Sequence, residues 1–274
     1  MVVVRVTVLP MREPEQLAGG MANGGQVVRI GEMVRRPAAA HSDANAALLH
    51  AVAAKGFRAP VPLGSDEQGR LLFGWIDGAV PAPPYALWSL TESALASVGR
   101  LLRRYHDTVS TVRFAKELEW CEDLADPHGG PIICHNDVCP ENVVFGDAGA
   151  IALLDFDFAA PGRRVWDLAQ TARMWIPLRP AKFNGDRAHL DPFRRLSVLA
   201  DAYGLEPAEH REFVDAIVES RRVGSRFVQG RVQAGEPAFI EAWKRHGMAD
   251  GDTAILHWLE DNRRAFLAAL TGGQ

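Results

Sequence analysis

The chain has 274 residues, 47% hydrophobic and 23% charged, and its 30 Lys and Arg against 34 Asp and Glu leave a net charge of −4. That composition is globular, with room for one large unit or two unequal ones around a real core. Neither sign forms a long block that would mark a nucleic-acid partner, and the run Val2-Val3-Val4, broken by Arg5 and stopped by Pro10, is too short for a signal peptide or a membrane span.

In chain order, the signals up to residue 77 are short and strand-like: VVVRVTVL at 2–9, QVVRI and MVRR on either side of Gly31-Glu32, and LLFGWI at 71–76. The first reads as an edge strand, and Gly31 suits a two-residue hairpin link that needs a positive φ. One helix is expected between them, from Ser42 to Lys55, closed by Gly56. PAPP at 81–84 continues neither helix nor sheet and marks a boundary between lobes. Beyond it the apolar period is helical over 91–107, about 166–175, 191–203, 208–232 and 252–270. The expected architecture is α+β, with a small β-rich lobe at 1–77 and a larger, mainly helical lobe at 78–274. Cys121, Cys134 and Cys139 show no metal spacing and are odd in number, which suits the reducing cytoplasm.

The helical lobe contains one β-patterned island. CHNDVCPENVVF at 134–145 crowds His135, Asp137 and Asn142 between the apolar runs Ile132-Ile133 and Val143-Val144-Phe145, which look like a core strand pair. Residues 142–145 and 151–154 read as a hairpin across the small, polar link 146–150. Counting out from that link sets Asn142 opposite about Leu154, so Asn142 and Asp155 emerge together at its open end. Asp155 and Asp157, two apart in LLDFDF, point to one side of an extended chain. An amide and two carboxylates in one small volume suit a hard cation, Mg2+ before Zn2+, because no thiolate or second histidine is placed to join them. Asp137 lies on the loop that enters this hairpin, where a carboxylate can accept a proton from an attacking hydroxyl.

His135-x-Asp137-x4-Asn142 followed by Asp155 has the spacing of the protein-kinase catalytic and metal loops. ICHNDVCPENVVF with ALLDFDFAAPGRRVWDLA resembles the aminoglycoside phosphotransferase and choline kinase family, a small-molecule branch of the protein-kinase-like bilobal fold. The resemblance implies Asp137 as catalytic base, Asn142 and Asp155 as Mg2+ ligands, Asp157 as a supporting acid, and His135 as a support of the loop. In the first lobe it implies a glycine loop at 19–25, with Gly20, Asn23 and Gly24 over the phosphates of ATP or GTP. A strand and hinge through Phe73, Trp75 and Ile76 would then hold the base.

Kinases also place a lysine on the third strand to bind phosphates. MVRRP offers Arg35 and Arg36 there, of which Arg35 is preferred, and the next helix has no glutamate to pair with it, only Asp43. Glu141 reads as a solvated neighbour, Asp167 as a brace at the start of a helix, and Arg163 and Arg164 as surface or bracing residues. The implied acceptor is a hydroxyl of a small molecule bound against the helices after residue 170, with no nucleic acid and no membrane as partner. An aminoglycoside-like antibiotic is one candidate, and choline, an amino alcohol, a sugar or a nucleoside are others. From Glu206 to Asp261 there are eleven Asp or Glu against seven Lys or Arg, too mild an excess to name a cationic antibiotic. A different class is a pseudokinase that binds nucleotide without transferring phosphate.

Overall fold

The computed structural model describes residues 14–17, 26–245 and 247–272. The strand expected at 2–9 and the glycine loop with Gly20, Asn23 and Gly24 lie outside the described residues. The first part of the chain forms β1 (Glu15–Gln16), β2 (Val28–Ile30), β3 (Met33–Arg36), α1 (Ser42–Ala54), β4 (Pro62–Ser65) and β5 (Leu71–Gly74). These strands make one antiparallel sheet in the order β1-β2-β3-β5-β4. Gly31 closes the β2–β3 hairpin at φ 61°, a left-handed conformation that costs glycine nothing. The sequence PLGS of β4 gives no strand signal. It is tolerated because β4 is an edge, where a proline's missing N–H leaves no ladder bond unmade, and a bulge between Pro62 and Gly64 absorbs the irregularity.

The rest of the chain forms α2 (Glu92–Val109), β6 (Ile132–Cys134), β7 (Val143–Gly146), β8 (Gly149–Leu153), β9 (Ala160–Gly162), α3 (Arg164–Trp175), α4 (Pro192–Tyr203), α5 (His210–Gln233), α6 (Pro237–Arg245), α7 (Met248–Asp261) and α8 (Arg263–Leu270). The core is centred on α2. Thr91 caps it by accepting from the Ala94 N–H, and Leu95, Val98, Leu101, Leu102, Tyr105 and Val109, spaced three and four apart, are at most 1% exposed. Each such aliphatic or aromatic side chain contributes about 1.5–3 kcal/mol of transfer free energy, so this stripe fixes α2 against α4 and the β7–β8 hairpin. The single helix expected over 252–270 is two helices that meet at Asn262, whose side-chain amide donates to the Trp258 carbonyl. α6 falls between the helices expected over 208–232 and 252–270.

Two strand pairs frame the polar island. Val143 faces Leu153 in the β7–β8 hairpin, and the Leu154 N–H donates to the Asn142 carbonyl at 2.8 Å, the register that the link implies. Ile132 and Ile133 do not pair with β7. They form a separate ladder with β9, Ile132 against Gly162, so the polar loop runs between two ladders rather than across one. The segment leaving the first sheet is joined to the same hairpin: Ala79 and Phe145 exchange two backbone hydrogen bonds of 2.8 Å. Gly78 allows this approach, because a β-carbon there would lie 2.4 Å from a Val144 methyl and 2.6 Å from the Phe145 carbonyl oxygen. The sheet is thereby held close to the loop that carries Asp137. Among the described residues no helix is long and apolar enough to cross a membrane.

Candidate active site

Asp137 and Asn142 lie on the loop between β6 and β7. The Asn142 amide donates to both the backbone carbonyl and the carboxylate of Asp137, each at 2.9 Å. With its NH2 turned to Asp137, the Asn142 side-chain oxygen has no partner among the described residues. Burial pushes the Asp137 carboxyl well above its usual range, and the negative charges of Asp155 and Glu141 push it further; the Asn142 bond opposes them only in part.

His135 is fully buried and works as a fixed bracket. Its Nδ1 accepts from the Asp137 N–H at 3.2 Å and its Nε2–H donates to the Leu154 carbonyl at 2.8 Å, which requires the neutral tautomer protonated on Nε2. Burial also lowers its pKa, against the nearby Asp167 charge. One imidazole thus ties the backbone of Asp137 to the residue before Asp155. Both loops turn through left-handed backbone, at Asn136 (φ 65°) and Asp155 (φ 57°), a conformation that Asn and Asp adopt more readily than other side chains.

Asp167, in the first turn of α3, secures the same loop. It accepts from the N–H groups of His135 (2.6 Å) and Asn136 (2.9 Å) and from His106 Nε2 (3.0 Å), with no exposure to water. It braces the loop that carries Asp137, as expected, but does so without capping its own helix. His106, buried on α2, carries a second connection, from Asp167 to the Tyr203 hydroxyl at 2.7 Å, which helical periodicity cannot reveal. Arg163 and Arg164 are braces too, on Asp126 and Asp107.

Arg36, not Arg35, faces the two carboxylates after β8. Its guanidinium bonds Asp155 at 2.9 Å and also grips Asp157, whereas Arg35 turns to Asp66 at 3.6 Å. Adjacent residues of a strand point to opposite faces, and only the even position looks toward the hairpin. Burial opposes the charge on Arg36, but Asp155 and Asp157 outweigh it and raise its pKa. Its partners are these two aspartates and not Asp43. Burial and Asp155 together hold the Asp157 carboxyl above its usual range. At the expected hinge, the Gly74 and Trp75 N–H groups are engaged by Val61 and Glu32, Phe73 lies within the ladder, and among the described residues no hydrogen bond engages Ile76. The Trp75 ring is covered by Arg29 at 4.0 Å.

Glu141 is not a solvated bystander. The Tyr85 hydroxyl donates to it at 2.8 Å, and Arg187 lies over the Tyr85 ring at 5.5 Å. The Trp175 indole N–H, at the end of α3, donates to the Val138 carbonyl at 2.8 Å. The end of α3 and the segment after it therefore rest against the loop that carries Asp137. The acidic excess counted from Glu206 to Asp261 is largely taken up in ion pairs: Asp215 and Glu260 with Arg263, Asp252 with Arg221, Glu236 with Arg231, and Glu212 and Glu219 with Arg163.

The oxygen set fits a magnesium ion. Asn142 offers a free amide oxygen, Asp155 keeps one carboxylate oxygen outside its bond to Arg36, and Asp157 lies beside it. Among the described residues no three His, Cys, Asp or Glu side chains gather around one point, as a fully protein-bound metal would require. Mg2+ commonly takes only one or two carboxylates and completes its shell with water and phosphate oxygens.

Residues 111–198 match the phosphotransferase enzyme family. The trifolitoxin immunity protein of Rhizobium leguminosarum bv. trifolii is 27% identical over 277 residues, 91% of this chain and 97% of its own. A choline/ethanolamine kinase family protein from Mesorhizobium loti superposes with a TM-score of 0.62 at 20% identity, covering 98% of this chain and 95% of that one. The GDP complex of an aminoglycoside 2'-phosphotransferase superposes with a TM-score of 0.54 at 11% identity, covering 94% of each. The fold is protein-kinase-like, and the resemblance to the aminoglycoside phosphotransferase and choline kinase family extends from the motif to the architecture.

Proposed function

We propose that this chain is an ATP- or GTP-dependent phosphotransferase that moves a γ-phosphoryl group to a hydroxyl of a small molecule. The observation that carries the proposal is the clasp at Asp137: a carboxylate held by the Asn142 amide and bracketed through His135 to the Asp155 segment. Asp137 orients the acceptor hydroxyl and takes its proton. A carboxyl whose ionised form is destabilised by burial and by two neighbouring acids is a better proton acceptor than one in water. Asn142 and Asp155 would hold Mg2+, with Asp157 in support, and the ion would neutralise charge on the phosphates. Arg36 stands beside these acids in place of the usual lysine, with a planar fork suited to phosphate oxygens. Residues 1–77 serve as the nucleotide lobe, through Gly20, Asn23 and Gly24 and the hinge with Ile76, and residues 78–274 bind the acceptor, in the cytoplasm where ATP is available.

The complete set of Asp137, Asn142, Asp155 and Asp157 favours catalysis over mere nucleotide binding, for which a proton acceptor has no use. Similarity to an immunity protein favours an antimicrobial compound as acceptor over a housekeeping metabolite. The test is ADP release in the presence of Mg2+ across a panel of hydroxyl compounds, with and without Asp137→Asn. Release that rises with one acceptor and is lost in the variant supports the assignment. Nucleotide binding with no transfer to any acceptor or to water would make the chain a pseudokinase.

A further inference from the structure

The wall behind the catalytic loop carries an excess of positive charge. Arg173, Arg179 and Arg187, on α3 and the segment after it, form no ion pair among the described residues, and Arg221 on α5 pairs with Asp252 alone. Arg173 donates to the Ser220 carbonyl and to Gln170, both at 2.7 Å, and Arg187 donates to the Met174 carbonyl at 2.9 Å. These bonds position the cations without giving either a directly paired carboxylate among the described residues. Gly224 makes the room: a β-carbon there would come within 2.9 Å of the Arg173 guanidinium. The four are close enough to perturb one another. Burial, with repulsion from Arg221 and Arg179 that the Asp252 charge only partly offsets, brings Arg173 down to about 9, and burial with Arg187 and Arg221 brings Arg179 down to about 10.

Arg179 is half-buried, with a fork that is only partly engaged. Its Nε donates to Asn184 at 3.1 Å, while its two terminal nitrogens have no partner among the described residues and are not sealed from solvent. A guanidinium held by one edge with the other edge free is preorganised for a bidentate oxyanion. The site adjoins the reaction centre, since Arg187 covers Tyr85, Tyr85 bonds Glu141, and Trp175 bonds the loop at Val138. The competing surface is a cleft of about 390 Å³ between residues 122–127 and α5, whose Asp123 and Asp126 are already paired with Arg231 and Arg163.

We infer that the acceptor carries, besides its hydroxyl, an anionic group, a carboxylate or a phosphate- or sulfate-like ester, received by Arg179 with Arg187 and Arg221. The inference rests on the phosphotransferase reading and names the substrate class of that site. Cationic acceptors are disfavoured there, because like charges repel across a partly buried wall.

The test is calorimetric titration of the whole chain with Mg2+ and a non-hydrolysable ATP analogue already bound, so that added anions cannot occupy the phosphate site. The probes are sulfate, malonate and choline, the first two separating a tetrahedral anion from a carboxylate. Sulfate or malonate binds at least tenfold more tightly than choline, loses at least tenfold in Arg179→Gln, and regains affinity in Arg179→Lys, with the melting temperature followed for each variant. A merely structural Arg179 would change the melting temperature and leave anion binding where it was. Tighter binding of choline, no binding of either anion to a chain that holds the nucleotide, or anion binding indifferent to Arg179→Gln each overturns the inference. Failure to bind either this ATP analogue or its GTP counterpart would instead count against the phosphotransferase reading.

Discussion

Removing the Asp167 carboxylate tests whether the catalytic loop is held from beneath. Asp167→Ala leaves three donors without an acceptor where no water reaches: the N–H groups of His135 and Asn136 and the Nε2 of His106, now at 2.6, 2.9 and 3.0 Å. Hydrogen bonds to a charged group contribute about 1.5–3 kcal/mol each, part of which is offset by no longer burying a charge, and breaking such a buried network costs about 3–5 kcal/mol. At roughly 2–4 °C per kcal/mol for a chain of this size, the melting temperature should fall by about 6–20 °C. Asp167→Asn, with one acceptor oxygen and an NH2 turned against a donor, should fall between. The pH dependence has a definite sign. Burial pushes the Asp167 carboxyl up, but bonds from His106 and His135 outweigh it and leave the folded pKa below the unfolded one. Its contribution is therefore complete above about pH 4 and is lost as the pH falls through the folded value, and Asp167→Ala should flatten the curve there. Thermal and urea unfolding read both effects. A variant melting within about 2 °C of the parent would refute the bracing role.

The other predictions concern the same frame. Arg36→Met should weaken Mg2+-nucleotide binding about 10–100-fold while Arg35→Met changes it less than about threefold, measured by calorimetry, because one charge-assisted bond is worth about 1.5–3 kcal/mol and only Arg36 reaches Asp155 and Asp157. His135 has a folded pKa below its unfolded value, so its contribution to stability is full above about pH 6.5 and is lost as the pH falls toward the lower folded value; His135→Gln should remove that slope from a melting-temperature titration. Gly78→Ala forces a methyl against Val144 and the Phe145 carbonyl and should cost about 1–3 kcal/mol in urea unfolding, with larger side chains worse.

Much of the fold was legible because its signals are local. The period of α2 fixes its buried face, and the polar link at 146–150 fixes the register that brings Asn142 next to Leu154. The spacing from His135 to Asp155 located the site because these residues lie on one loop and one hairpin. What escaped depends on residues far apart in the chain. β6 pairs with β9, almost thirty residues on, and short apolar runs do not name their partner. The choice between Arg35 and Arg36 turned on which face of β3 meets the hairpin, a matter of register rather than of residue type. Glu141 reads as a solvated neighbour, and His106 and Arg179 belong to no motif, because their roles depend on Tyr85, Asp167 and Asn184, which only the packed chain brings to them.

The central claim is that Asp137 takes a proton during transfer of a phosphoryl group from a nucleotide bound with Mg2+. It is tested most directly by comparing the unaltered chain with Asp137→Asn in one experiment: Mg2+-nucleotide affinity by calorimetry and ADP release, to water and to the acceptor panel, on the same samples. Loss of a positioned base should lower turnover about 10²–10⁴-fold and leave nucleotide affinity within about threefold. ADP release by Asp137→Asn equal to that of the unaltered chain, at equal nucleotide occupancy, would contradict the claim.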